Sequence, residues 1–248
     1  MHWLDNGIVL SARKYGETSV VLQAFTRDHG RYAGMVRGGV GKRLRGVLQP
    51  GNVIGVKWQG RLAEQLGTYT IEAGTSSGAL LFDLPLSLAA CSSVMAILEK
   101  TLPEKEPHAA LYDATEFLIE TFGDDILHWG PLLVKWELGL LQEMGYGLDL
   151  ETCVATGERE RLIYVSPKSG CAVSEAAGGP YKEKLLPLPP FLRFEHNPET
   201  NDIDLQQIEE GLRLTGYFIR RNLISQYGEE SLPARERLIH KIQSKISD

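Results

Sequence analysis

Cysteine is scarce in this sequence: Cys91, Cys153 and Cys171 are the only three among 248 residues. An odd, sparse set excludes the disulfide framework of a small secreted domain and points to the cytoplasm. No apolar run approaches the roughly 20 residues that a membrane span needs. The start, Met1-His2-Trp3-Leu4-Asp5-Asn6, lacks the basic-then-apolar order of a signal peptide. The six histidines are scattered, without H-E-x-x-H or any paired metal spacing. No acid/base constellation, internal repeat or long low-complexity tract stands out. Net positive charge is missing too, since the formal total is −6.

That total hides an asymmetry. Residues 1–61 hold ten Lys/Arg against Asp5, Glu17 and Asp28, an excess of seven, so the remainder must carry −13. A positive module fused to an acidic body is a cue for nucleic-acid contact by one part only. The alternative is chance asymmetry on solvated faces. The densest stretch is Arg37-Gly38-Gly39-Val40-Gly41-Lys42-Arg43-Leu44-Arg45-Gly46. Its glycines allow close backbone approach and its cations neutralise phosphates, which suggests a polyanion site. A solvated hairpin tip is the plainer reading.

The first 73 residues read as short strands: Gly7–Lys14, Ser19–Thr26, Arg31–Arg37, Val53–Trp58 and Gln65–Ala73. Alternation such as Ile54/Val56/Trp58 against Val53/Gly55/Lys57 is the period-two pattern of a half-buried strand. Five strands in about 70 residues suggest a small barrel. The basic segment falls in the long connection 38–51, expected as a glycine loop between the third and fourth strands. Helical spacing follows in Pro85–Thr101, with Asp83 as a candidate cap, then in Pro107–Phe122 and in Pro131–Met144. Asp204-Leu205-Gln206-Gln207 can open a helix running to Leu223, and Ser231-Leu232-Pro233 another running to Ile246. Their apolar stripes read as a helical-bundle core.

The basic segment is not a nucleotide-hydrolysing Walker loop. Arg43 follows Lys42 where a hydroxyl is needed, and Val36 replaces the upstream glycine. A phosphodiester backbone needs only spaced cations. Tyr15, Tyr32 and Trp58 can stack bases in a single-strand groove or serve as barrel core. Gly74-Thr75-Ser76-Ser77-Gly78 matches G-x-S-x-G, but the next helix signal comes near Pro85, so a linker reading is preferred to a Ser76 nucleophile. Cys153-Val154-Ala155-Thr156 and Cys171-Ala172-Val173-Ser174 each read as C-x-x-C with the second cysteine replaced. Thr156 and Ser174 are poor zinc ligands, and no histidine lies between residues 129 and 195 to complete a set. A knuckle-shaped insertion held by packing is expected, with no metal or other cofactor.

The N-terminal run then becomes recognisable. Gly7-Ile8-Val9-Leu10, Arg13-Lys14-Tyr15-Gly16-Glu17-Thr18-Ser19, Phe25-Thr26, Gly30-Arg31 and Leu48-Gln49-Pro50-Gly51 resemble the bacterial RecO family of recombination mediators. Leu133-Val134-Lys135-Trp136-Glu137-Leu138-Gly139-Leu140-Leu141 with Met144-Gly145-Tyr146-Gly147 looks like that family's central helix. The degenerate cysteine pairs fall where many members carry a zinc-binding insertion. The resemblance implies an α+β chain: an OB-fold barrel (1–80), a helical domain (81–147 and 201–248) and a zinc-knuckle-like insertion (148–200). It implies a non-enzymatic, cytoplasmic and nucleoid-associated factor that binds single- and double-stranded DNA and anneals complementary strands. Such a factor helps RecR, and often RecF, load RecA onto strands coated by single-stranded DNA-binding protein (SSB). The family's basic barrel positions map onto Arg13, Lys14, Arg31, Arg37, Lys42, Arg43 and Arg45. Its grip on the SSB C-terminal tail maps onto Leu132, Lys135 and Trp136, where lysine lacks arginine's bidentate fork. The missing cysteines put the family's zinc site in doubt here. An OB-fold module for RNA is the competing expectation.

Overall fold

The computed structural model describes residues 1–62, 65–72, 74, 81–193, 203–225 and 231–247. It opens with five strands: β1 (His2–Tyr15), β2 (Ser19–Thr26), β3 (Gly30–Val36), β4 (Val53–Gln59) and β5 (Gly67–Glu72). They close a barrel in the order β1-β2-β3-β5-β4. All neighbours are antiparallel except β3 and β5, which run parallel through only Gly34↔Gly67 and Met35↔Thr68. This is the expected OB-like barrel. Val9, Leu22, Ala24, Tyr32, Ile54, Val56, Trp58 and Tyr69 fill its core. A Cβ on Gly34 would overlap the Tyr69 ring, so glycine lets that ring close the barrel where β3 meets β5.

β1 begins five residues before the expected start. His2–Asn6 pair with Gln59–Gly55 of β4, a register that their mixed polarity did not signal. The basic connection also differs from the expected loop: α1 (Lys42–Val47) is helical. Leu44, Val47 and Leu48 recur at helical spacing and pack on the barrel core. The Asn52 amide donates to the Gly46 and Val47 carbonyls at 2.9 and 3.0 Å, satisfying the helix end.

Two helices belong to the same compact unit as the barrel, which comprises residues 1–123 and 232–238. They are α2 (Pro85–Thr101) and α3 (Ala109–Thr121). The first residue before α2 is Leu84, which makes no side-chain cap, so Asp83 does not cap it, while Pro85 does occupy the first turn. α2 packs against β1, which is buried on both faces at Ile8, Val9 and Leu10. Three arginines of the barrel reach these helices and their connection. Arg27 holds Asp113 through two bonds of 2.8 and 2.9 Å. Arg31 donates to the Leu102 carbonyl at 2.8 Å and faces Glu104 at 3.4 Å. Arg13 and Ser11 share Glu99, at 2.9 and 2.7 Å.

The second unit comprises residues 124–231 and 239–248. Here α4 (Ile126–Glu143) starts five residues before the expected Pro131, because the Asp125 side chain accepts from the Leu127 N–H at 2.8 Å and caps it. α4 packs on α5 (Leu205–Phe218), whose Asp204 cap accepts from Gln207 N–H at 2.8 Å as the sequence suggested. Between these helices Glu137 is fully buried and accepts from the Thr215 hydroxyl. A π-helical turn, Ile219–Ile224, follows α5. Residues 148–193 hold a three-stranded sheet in the order β7 (Ala172–Ser174), β6 (Leu162–Val165), β8 (Leu186–Pro187). The last helix, α6 (Pro233–Ser247), is divided between the two units. Of the G-x-S-x-G segment, only Gly74 is among the described residues, and Ser76 lies outside them.

Gly30 is the tightest joint in the first unit. Its φ is +73°, and a Cβ there would overlap the Glu106 backbone. Gly30→Ala should cost about 2–3 kcal/mol from left-handed strain and displaced packing, read as a lowered urea midpoint.

Candidate nucleic-acid interface

One end of the barrel gathers the basic segment. Lys14 pairs with Val20, and Val20 pairs with Val36, the residue before Arg37. The Val40 N–H donates to the Thr18 carbonyl at 3.3 Å, pinning the segment to the β1–β2 turn. Gly41 N–H donates to Gly38 O at 3.0 Å, and the Arg45 N–H donates to Gly41 O at 2.9 Å. The glycines therefore build a folded entrance to α1.

Beside it lies an open groove of about 690 Å³. Arg37, Gly38, Gly41 and Arg43 form one wall, and Gln59, Thr68 and Thr70 of β4 and β5 form the other. Lys57 stands opposite Thr70 in the β4–β5 register and is exposed. Sequence reasoning missed Lys57, Gln59, Thr68 and Thr70. The outward phase of β4 held the signal for Lys57, but only the fold sets that face beside α1.

The barrel's cations separate into two groups. Among the described residues, Lys14, Arg37, Lys42, Arg43, Arg45 and Lys57 are exposed and make no ion pair. Arg13, Arg27 and Arg31 are engaged as described above. Hydrogen bonds from Arg27, aided by its charge, hold the Asp113 carboxyl below the usual range. The Arg31 side chain is only 16% exposed, so it is a structural strut before it is a ligand contact. The Arg13 pair is more open, with Arg13 74% exposed; exposed pairs contribute little, and a phosphate can compete for it. Of the candidate stacking rings, Tyr32 and Trp58 are buried core and only Tyr15 is exposed.

Comparison with known proteins decides the family. The family model described as Recombination protein O N terminal matches residues 1–75, and the one described as Recombination protein O C terminal matches residues 85–228. The chain belongs to the RecO family. It is 45% identical over 245 residues to the DNA repair protein RecO of Rhodospirillum centenum, covering 97% of this chain and 94% of that one. It is 44% identical over 245 residues to the DNA repair protein RecO of Methylocella silvestris, covering 99% and 97%. The Afipia carboxidovorans RecO is 45% identical over 240 residues, covering 96% and 95%. The RecO N-terminal match spans the barrel, and the RecO C-terminal match begins with α2.

Two further places correspond to the insertion and the central helix of the RecO resemblance. In the insertion, Cys153 Sγ accepts the Ser174 N–H at 3.3 Å and lies 3.5 Å from the Ser174 hydroxyl. Burial alone would raise this thiol, but hydrogen bonds from the Ser174 and Thr156 hydroxyls and from backbone N–H groups outweigh it and bring Cys153 to about 6. Cys171 Sγ instead faces the Ser169 carbonyl at 3.7 Å. Thus hydroxyls gather around one sulfur where a knuckle would hold metal. Among the described residues no group of three or more His, Cys, Asp or Glu is placed to hold a metal ion. On α4, Lys135 is exposed, Leu132 is half-buried and Trp136 is 5% exposed. Helical spacing puts Lys135 on the face of Gly139 and Gln142. These two line a groove of about 410 Å³ with Leu138, Leu148, Leu150, Leu192 and the carboxylate of Glu151. No helix among the described residues is long and apolar enough to cross a membrane.

In a Cys171→Ser background, Cys153 should titrate near pH 6 by thiolate ultraviolet absorbance, since burial pushes Cys91 up to about 12 and keeps it silent. Ser174→Ala should move that titration up toward the usual 9.0. The folded state binds fewer protons than the unfolded state between these values. Cys153 therefore contributes stability that is present above about pH 9 and is lost as pH falls through 6.

Proposed function

We propose that this chain is a non-enzymatic DNA-annealing and recombination mediator. The observation that carries the reading is a groove walled by Arg37 and Arg43, with the exposed cations Lys14, Lys42, Arg45 and Lys57 on the neighbouring segments, within a chain of net charge −6. Spaced cations on exposed backbone neutralise phosphates without a nucleotide cradle. Neutralising two strands at once lowers the repulsion that opposes their pairing. Lys14, Arg37, Lys42, Arg43, Arg45 and Lys57 make these contacts, with Tyr15 at the rim as an exposed ring for a base. The names of the relatives, DNA repair proteins, support DNA as the ligand.

The groove beside Lys135 has the chemistry to take an acidic, hydrophobic peptide end, which fits the SSB tail. In that reading the barrel binds strands while α4 engages the protein that coats them. RecR, with RecF in some settings, is the partner through which the strand passes to RecA. The acidic remainder of the chain limits indiscriminate sticking to nucleic acid.

Reversing Lys42, Arg43 and Arg45 to glutamate should weaken single- and double-stranded DNA binding. It should also flatten the salt dependence, by about 0.9 in log–log slope for each lost duplex phosphate contact. Fluorescence anisotropy across a salt series checks this, and an unchanged slope would remove the groove from the account.

A further inference from the structure

A column of aromatic rings runs from the barrel core to the β2–β3 turn, and Tyr69, which braces it, also lines the basic groove. Trp58 is 1% exposed and anchors it in the core. Trp3 lies parallel to Trp58, with centroids 5.8 Å apart and planes 12° from parallel. His29 then stacks on Trp3 at 4.1 Å and 8°. Exposure rises along the column, and the His29 side chain is 32% exposed. Tyr32 and Tyr69 brace Trp3 edge-on at 5.2 and 6.0 Å.

His29 is held in this pose by more than stacking. Its Nδ1 lies 2.9 Å from an Asp5 oxygen, and the Asp5 side chain is only 4% exposed. The same carboxylate accepts the Asp28 and Asn6 N–H groups, each at 2.8 Å. One ring face is covered by Trp3 and one edge is fixed by Asp5. What remains open is the other face and the far edge of a rigid ring whose orientation is set before any ligand arrives.

We propose that His29 is the outer step of a stacking platform for one unpaired base of single-stranded DNA. The proposal rests on the DNA-binding reading above and adds a second point of contact at the β2–β3 turn. A base would extend the Trp58–Trp3–His29 column by one ring. Acids lie near this face: Asp5 holds His29, Asp28 is met by Arg27 at 3.4 Å, and the exposed Glu106 follows Lys105, whose Nζ lies 5.3 Å over the Tyr32 ring, so the platform offers stacking and not phosphate neutralisation. Arg61 follows β4, two residues beyond Gln59 of the groove wall, and is exposed. Base stacking on a fixed ring tolerates any sequence, as an annealing factor requires.

The test compares a labelled oligothymidine with a sugar–phosphate strand of equal length that lacks bases, using fluorescence anisotropy on the full chain. Wild-type protein should prefer the strand with bases. His29→Ala should lose about tenfold on oligothymidine and nothing on the abasic strand. His29→Phe keeps a ring and should retain most of the affinity. The proposal is overturned if His29→Ala binds oligothymidine as wild type does, if it loses equally on both strands, or if His29→Phe is as weak as His29→Ala. Wild-type protein that binds neither strand would remove the DNA-binding reading as well, whereas strong wild-type binding with an indifferent His29→Ala removes the platform alone.

Discussion

The rest of the first unit depends on how three barrel arginines are tied down. Arg27 grips Asp113 with a two-pronged bond, Arg31 donates to the Leu102 carbonyl, and Arg13 shares Glu99 with Ser11. A guanidinium fits these roles because its fork meets a carboxylate in two places or a carbonyl at a fixed angle. The Gly30–Glu106 approach sits among these contacts and admits no side chain. Barrel, α2 and α3 are thereby tied into one unit; Arg27 and Arg31 are committed to architecture, while the exposed Arg13 stays open to a competing phosphate.

That commitment separates structure from function within one charge class. Among the described residues of the barrel, the cations left without partners are those on α1, at its entrance, on and just after β4, and near the β1–β2 turn. α1 owes its place to Leu44, Val47 and Leu48 on the barrel core and to Asn52 at its end. The apolar side of the segment thus anchors it, and its basic side is presented to solvent. At the β2–β3 turn, a ring column brings His29 to the surface in a fixed pose. In the proposed reading, the groove meets the backbone of an unpaired strand and His29 meets one of its bases.

Much of this was legible in the sequence, for physical reasons that can be named. Strand alternation located four of five barrel strands closely, because half-buried strands must repeat every second residue. The first turns at Pro85 and Asp204 were readable because caps and proline are local chemistry. The extension of β1 through His2–Asn6 was not, since that stretch owes its pairing to β4 and not to its own pattern. α1 was hidden because glycine and cations dominate its composition, while three apolar residues decide its structure. The barrel's basic set was readable as a list but not as two groups: whether an arginine is a strut or a ligand contact depends on acids and carbonyls 70 to 90 residues away, such as Leu102 for Arg31 and Glu99 for Arg13. The two halves of the cysteine motif meet through Cys153 and Ser174, where hydrogen bonds hold the sulfur, a contact that the expectation of packing alone did not include.

The sorting of cations into struts and phosphate contacts is the central claim, and Arg31 is its sharpest case. The direct measurement is the salt dependence of single-stranded DNA binding by Arg31→Gln, beside its unfolding midpoint. The account predicts a log–log slope equal to that of the wild type, with a lowered midpoint. A slope shallower by about 0.7, the value of one lost single-strand phosphate contact, with an unchanged midpoint, would contradict it.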